Sequence, residues 1–408
     1  MTPLWRNRDF VLLQAGQMLS TLGSSASQLA YPLLILATTH SPAKAGAVGF
    51  ANLVPYAVFG LVAGVAADRW NRKRLMVAME VVRALAMTSI VVAIAGGVLT
   101  FAQVVAAAFV EGTAFVLFNV AEVGAIRSVV PKRQLPDAFA AEQARFSVVT
   151  LTGPPFAGAL FGLGRSLPFL ADAISYVFSI VSLLGMRTPF QQERERDPAS
   201  LRVQIREGFS FLWQQPFLRT CALIFAGDNF VFQGLYLTLV VVARRHGLSS
   251  AAIGAMIAVF GAVQLVGALL APRMAKRLTM RTLVLLGQWV VAAAIAFLVV
   301  RSPYVLLATA LPMALVGPWT NAAIIGYRTA VTPDRLVGRV SSVARNIALL
   351  AQPLGPLAAG LLISAWSPWT ATLVLVAIGT ALAVWASVSP SIRQAPSLDE
   401  LDADTALA

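Results

Sequence analysis

Apolar runs of about twenty residues alternate with short polar loops along nearly the whole chain. A helix rises about 1.5 Å per residue, so each run matches the roughly 30 Å hydrocarbon core of a bilayer. Reading for such runs gives twelve spans: Phe10 to Ala37, Gly46 to Ala67, Leu75 to Leu99, Ala102 to Val120, Phe139 to Leu163, Pro168 to Gly185, Phe217 to Ala243, Ile253 to Ala271, Leu283 to Val300, Tyr304 to Ile325, Val340 to Ile363 and Thr370 to Val388. They lack the alternation of barrel strands, and inside lipid only helices or closed barrels satisfy every backbone group. The pattern predicts an all-α membrane protein.

The longest polar interval, Gln191 to Phe209, divides the spans six and six. The halves echo each other. Ala67 to Lys73 matches Ala271 to Arg277 at one offset; Pro131, Arg133, Gly153-Pro154 and Gly158 match Pro333, Arg335, Gly355-Pro356 and Gly360 at another. The expected organisation is a six-helix bundle over 1–187, a linker with an amphipathic segment over 188–216, a second bundle over 217–390, and an acidic tail over 391–408. In such duplicated transporters the halves form two pseudo-symmetric bundles that rock about a site at their interface.

Composition agrees with the pattern: 58% of residues are hydrophobic and only 12% charged, against about a quarter charged in soluble domains. The net charge of +13 would suit a nucleic-acid binder if the cations formed one surface, but they lie between spans. One alternate set of loops holds most of them; the other holds only Lys44, Arg165, Arg244, Arg245 and Arg301. The positive-inside rule then puts both termini in the cytoplasm. Arg83, Arg145 and Arg345 fall within or near span ends and read as snorkelling side chains. Cys221 is the one cysteine, His40 and His246 both map to outer loops, and no lysine follows a phosphate-loop pattern. These counts give no basis for a disulfide framework, a metal site, a cofactor or ATP hydrolysis, and the expectation is a non-enzyme.

The loop Gly64 to Arg74 reads G-x-x-A-D-R-x-x-R-K-R, which resembles the signature loop of the major facilitator superfamily. Within it, R-N-R-D-F at Arg6 to Phe10, D-R-x-x-R-K-R-L-M at Asp68 to Met76, and V-G-R-V-S-S at Val337 to Ser342 resemble the macrolide-efflux and enterobactin-exporter-like branch. Many members of that branch carry an acid after the glycine of span 1; this chain has Gly23-Ser24. The resemblance implies the major facilitator fold, an inner-membrane location and a cytoplasmic gate. In that gate Asp68 and Arg69 latch onto the start of span 11 near Gly338 and Arg339, with Arg72, Lys73 and Arg74 alongside. It also relates T-G-P-P-F-A-G, Thr152 to Gly158, to a motif of proton-driven exporters. Here Pro154 and Pro155 remove two amide donors and kink span 5, while Gly153 and Gly158 allow close backbone contact.

Six acids fall inside spans: Glu80, Glu111, Glu122, Glu142, Asp172 and Asp228. An acid at mid-membrane costs about 2.5 to 3.5 kcal/mol on insertion scales, so one placed deep faces protein or water. Glu111 and Asp228 lie nearest the middles of spans 4 and 7 and are the proton-coupling candidates. The others lie nearer span ends and read as structural. Helical spacing puts Phe115 and Phe118 on the face of Glu111, and Phe225, Asn229, Gln233 and Tyr236 together beside Asp228. Gln17, Ser20, Ser24, Gln28 and Tyr31 form a third stripe. Singly, such residues more often join membrane helices than bind ligands. Because spans 1, 4 and 7 line the cavity in the family, Gln28, Tyr31, Phe115, Phe118, Phe225, Asn229, Gln233, Tyr236 and, on span 10, Trp319 are the candidate substrate walls.

The resulting expectation is a monomeric secondary transporter whose partners are a small-molecule substrate, protons and membrane lipids, with no nucleic acid. A proton-coupled exporter of an amphipathic organic compound is the leading form. An importer or facilitator of a polar nutrient would show paired charges and amides in its cavity, and a non-transporting sensor is more distant.

Overall fold

A computed structural model describes residues 3–60, 70–188, 190, 201–290 and 301–395. Among these every regular element is a helix. In chain order they are α1 (Arg8–Thr39), α2 (Pro42–Phe59), α3 (Arg72–Ala95), α4 (Phe101–Val129), α5 (Leu135–Leu163), α6 (Leu167–Gly185), α7 (Leu201–Gln214), α8 (Pro216–Arg245), α9 (Ser250–Arg277), α10 (Met280–Trp289), α11 (Pro303–Val331), α12 (Asp334–Leu350), α13 (Leu354–Ala365), α14 (Pro368–Val388) and the short α15 (Pro390–Arg393). Nine helical stretches among the described residues are long and apolar enough to cross a membrane. Predicted span 1 falls outside these nine because α1 carries Gln17, Ser20, Ser24, Ser27 and Gln28 in its interior. Spans 2 and 9 run on into undescribed residues 61–69 and 291–300.

Local chemistry sets the boundaries. Asn7, Ser41, Asn71, Thr100, Thr279, Ser302 and Ser367 each precede a helix and accept a hydrogen bond from a backbone N–H of its first turn. Span 11, expected as one helix, is interrupted at Ala351–Pro353. Pro353 has no amide to donate, and the chain passes the break through tighter turns, Gln352 N to Leu349 O and Gly355 N to Gln352 O, both at 3.2 Å.

The chain separates into two compact units, one of Met1–Arg196 with Gly247–Val259, the other of Asp197–His246 with Phe260–Ala408. In the first, α1 packs against α5 and α6, and a Cβ at Gly153 would fall 2.1 Å from Ser25 Oγ. In the second, α8 packs against α13 and α14, and a Cβ at Gly355 would fall 2.3 Å from the Phe230 carbonyl oxygen. Gly153 and Gly355 are a matched pair of the sequence repeat, so equivalent positions make equivalent helix crossings. Each unit has its own apolar core: Phe10, Leu13, Met76, Phe118 and Phe190 in the first, Phe217, Leu283, Trp319, Tyr327 and Val340 in the second.

Candidate functional site

The first unit encloses a charged network built from α1, α2, α3, α4 and α6. Its centre is Arg83 on α3, 1% exposed. The guanidinium donates to Ser24 Oγ at 2.8 Å and Glu111 Oε1 at 3.1 Å through Nη2, and to Glu80 Oε2 at 3.5 Å through Nη1. Tyr176 lies under it at 4.2 Å and Phe115 at 5.2 Å from ring centre to Cζ, positions in which an aromatic face attracts a cation.

Each carboxyl is held from a second side. Glu80 Oε1 accepts from Ser179 at 2.9 Å, Ser20 at 3.1 Å and Gln17 at 3.5 Å. Glu111 Oε2 accepts from Asn52 Nδ2 at 2.5 Å. Asp172 Oδ2 accepts from Ser27 at 2.5 Å and Tyr176 at 3.1 Å. Two glycines make the geometry attainable. A Cβ at Gly112 would lie 2.1 Å from the Asn52 carbonyl oxygen, so α2 can approach α4 beside Glu111 only because the position is glycine. A Cβ at Gly23 would lie 2.2 Å from Ser175 Oγ, and the resulting contact of α1 with α6 brings Ser24 and Ser27 to Tyr176 and Asp172.

The buried set therefore holds three carboxyls against one guanidinium. An ion without a partner is costly in a low-dielectric interior, so each carboxyl depends on the guanidinium or on the hydroxyl and amide donors around it for compensation. Sequence reading gave Arg83 as a snorkelling side chain and Glu80 and Asp172 as end-of-span acids. The structure corrects the reading of Arg83, which is 1% exposed and the hub of the network rather than a snorkelling side chain; Glu80 and Asp172 do lie towards helix ends, and both are fully buried. Depth along a span does not reveal partners on other helices. The signals were present in two patterns: Glu80 and Arg83 are opposite charges at i, i+3 in an apolar run, and Asp172, Ser175, Tyr176 and Ser179 form a polar stripe matching that of span 1. Arg145 is also paired, 3.0 Å from Glu122.

In the second unit Asp228 Oδ2 accepts from Gln288 Nε2 at 2.7 Å, while Asp228 Oδ1 and Gln288 Oε1 are buried with no hydrogen-bond partner among the described residues. The remaining candidates are dispersed. Gln28 is exposed; Phe225, Gln233 and Tyr236 are half-buried on α8. Tyr31 is buried and directs its hydroxyl at Met87 Sδ, 3.7 Å away. Phe115 stacks obliquely on Tyr56 at 5.6 Å. Asn229 donates to the Phe225 and Ala348 carbonyls at 2.9 and 3.1 Å and so joins α8 to α12. Phe118 and Trp319 are core residues, the latter donating from Nε1 to the Gly267 carbonyl at 2.8 Å. Helical spacing identified their faces but could not distinguish a wall from a packing surface.

Asp68 and Arg69 lie outside the described residues. Their neighbours Arg72 and Lys73 reach the end of α6: Lys73 Nζ donates to the Met186 and Leu184 carbonyls at 2.7 and 3.3 Å, and Arg72 Nη1 to the Phe190 carbonyl at 3.4 Å. Cations there complement the free carbonyls and negative dipole end of that helix. Arg74 and Gly338 are exposed, and Arg339 pairs with Glu207 of α7. Asp9 completes this end of the first unit, accepting from Thr188 N at 2.7 Å, Thr188 Oγ1 at 2.5 Å and Arg187 N at 3.1 Å. Burial alone would push its carboxyl up, but the Thr188 and Arg187 bonds and the Arg8 charge outweigh that and hold it below the usual carboxylate range. On α5, Gly158 and Pro154 meet the first turns of α9: a Cβ at Gly158 would lie 2.2 Å from the Ser250 carbonyl oxygen, and one at Gly254 would lie 2.2 Å from that of Pro154.

The family model described as Major Facilitator Superfamily matches residues 14–249 and 229–402. The chain is similar to multidrug efflux pump Tap of Mycolicibacterium fortuitum, 28% identical over 405 residues, covering 94% of this chain and 95% of that protein. Macrolide efflux protein A of Streptococcus pyogenes is 26% identical over 238 residues, 55% of each. Among solved structures, an inward-facing, unoccupied bacterial homologue of the human lysosomal transporter Spinster superposes with a TM-score of 0.73 at 17% identity, over 95% of this chain and 98% of that one. A D-xylose-proton symporter gives 0.71 at 13% identity, over 97% and 100%. The two structures share the fold, and the family model spans nearly all of the sequence: the chain belongs to the Major Facilitator Superfamily of multi-pass membrane transporters.

Proposed function

We propose that this protein is a monomeric exporter of the inner membrane, with both termini cytoplasmic, that exchanges protons for a small amphipathic organic compound by alternating access. The observation that carries the reading is the sealed network of three carboxyls about Arg83, in which Glu111 is the coupling acid. Asp228 is the second: a proton on Oδ1 would supply the donor that this carboxyl and Gln288 Oε1 lack. Similarity to efflux proteins, one of them along almost its full length, supports the export direction. Gln28, Phe115, Phe225, Gln233 and Tyr236 would supply the polar and aromatic surface for such a substrate, and Asp68 and Arg69 the gate with Gly338 and Arg339. The energetics permit one proton per cycle: a charge crossing about 150 mV yields roughly 3.5 kcal/mol, against about 2.8 kcal/mol for a neutral solute moved up a hundredfold gradient.

The test is efflux from proteoliposomes under an imposed pH gradient, with a panel of labelled hydrophobic cations, macrolides and siderophores. Wild type should transport at least one of them in a gradient-dependent way, with Glu111→Gln and Asp228→Asn folded but at least tenfold slower in gradient-driven transport. Full gradient-driven transport by both variants would remove the coupling assignment.

A further inference from the structure

The helix α7 between the two six-span halves has two unlike faces. One packs on α12: Glu207 pairs with Arg339, and Gly208 crosses so closely that a Cβ there would lie 2.8 Å from the Arg339 backbone. The other presents Arg202, Arg206, Phe209 and Trp213 at i, i+4, i+7 and i+11, all exposed. Phe209 and Trp213 stack on each other with ring centres 5.0 Å apart and planes at 15°, 44% and 41% exposed. Arg219, from the first turn of α8, donates to the Trp213 carbonyl at 3.3 Å and lies over its ring at 5.6 Å. Arg202 and Arg206 have no ion pair among the described residues.

The position of this face along the chain decides what covers it. Trp213 is three residues from Pro216, where a 30-residue apolar span begins, so the rings cannot stand far from the headgroup layer. Tryptophan and arginine together are the side chains that settle at that level, the ring at the acyl boundary and the guanidinium among phosphates. We infer that α7 is an interfacial anchor whose Arg202, Arg206, Phe209 and Trp213 face binds anionic phospholipid headgroups. Its opposite face holds Arg339, so the bound lipid fixes the start of α12.

The test places a nitroxide on α7 of the full-length protein by Ser210→Cys; Ser210 is exposed beside both rings, whereas Cys221 is 1% exposed and does not compete for label. The protein is reconstituted in phosphatidylcholine with and without phosphatidylglycerol, and label depth and association of each spin-labelled lipid are measured. The label should sit at headgroup depth, with labelled phosphatidylglycerol favoured over phosphatidylcholine. At about a fivefold effect per basic residue near the surface, R202Q/R206Q should lower that preference roughly thirtyfold or to parity, and Trp213→Ala should move the label towards water. A water-exposed label in both membranes overturns the inference. So does a preference unchanged in R202Q/R206Q, or displacement of the labelled lipid by inorganic phosphate, which would mark a site for free anions.

Discussion

Replacing Arg83 by glutamine tests whether the buried network is a charge cluster or ordinary polar packing between membrane helices. The substitution keeps a polar side chain of moderate length but removes the one cation facing Glu80 and Glu111 and the bonds to Ser24, Glu111 and Glu80 at 2.8, 3.1 and 3.5 Å. Neutral hydrogen bonds between membrane helices average about 0.6 kcal/mol, because the unfolded helices also find partners in the bilayer. Removing one member of a buried ion pair costs about 3 to 5 kcal/mol, since the opposite charge stays buried without compensation. The two accounts differ severalfold. Unfolding in mixed micelles, followed by circular dichroism, should show Arg83→Gln less stable by about 3 kcal/mol at neutral pH. Adding Glu111→Gln should restore about 1 to 2 kcal/mol, because it removes a carboxylate left unpaired. Arg83→Lys should also fall short of wild type, a point charge being unable to reach three acceptors as the planar fork does. A loss near 0.6 kcal/mol, with no recovery in the double variant, would refute the charge-cluster reasoning.

The crossing of α5 with the first turns of α9 predicts that Gly254→Ala loses about 1 to 3 kcal/mol, because the new Cβ would lie 2.2 Å from a backbone oxygen that cannot move aside. Gly162→Ala, on the same α5, meets nothing within 4 Å and should be neutral or gain up to about 1 kcal/mol from helix propensity; thermal midpoints in detergent compare the two. Asp9→Asn should cost about 1 to 3 kcal/mol at neutral pH by weakening the charge-assisted bonds to Thr188 and Arg187. The Asp9 carboxyl titrates lower when folded than when unfolded, so its contribution is complete above the ordinary carboxylate value and is lost as pH falls through the folded value. The gap between Asp9→Asn and wild type in melting experiments should therefore close in strong acid and be constant from pH 6 upwards.

Helix positions were legible because span length and loop charge are local properties; the caps Asn71 before α3 and Ser367 before α14, which set the boundaries, emerged only with the structure. Helix interruption was partly legible, since Pro353 was visible although its effect on span 11 went unread. The centre of the network was not, because the worth of Arg83 depends on Glu111, Ser24 and Tyr176, which three other helices bring to it. Even so, the two polar stripes on spans 1 and 6 are complementary in sequence, and Gly23 is the position at which they could meet. Phe118 and Trp319 show the opposite limit: an aromatic on a polar helix face has the same spacing whether it lines a path or fills a core.

The sequence repeat and the matched crossings at Gly153 and Gly355 make the different solutions of the two units informative. In the first, α1 meets α6 through Gln17, Ser24 and Ser27 against Ser179, Tyr176 and Asp172. In the second, the corresponding contact of α8 with α14 is steric: Gly227 lies against Leu382 and Gly234 against Leu375, close enough that a Cβ would clash with each leucine. Small residue against leucine joins membrane helices without ions. A common architecture therefore did not require the charges of the first unit. If the charges of the first unit serve the proposed proton coupling rather than architecture, loss of Glu111 should impair gradient-driven transport. The pair Asp228 and Gln288 is the alternative. If Asp228→Asn alone abolishes gradient-driven transport while Glu111→Gln leaves it intact, the titratable machinery lies in the second half and the network about Arg83 is a structural fastening.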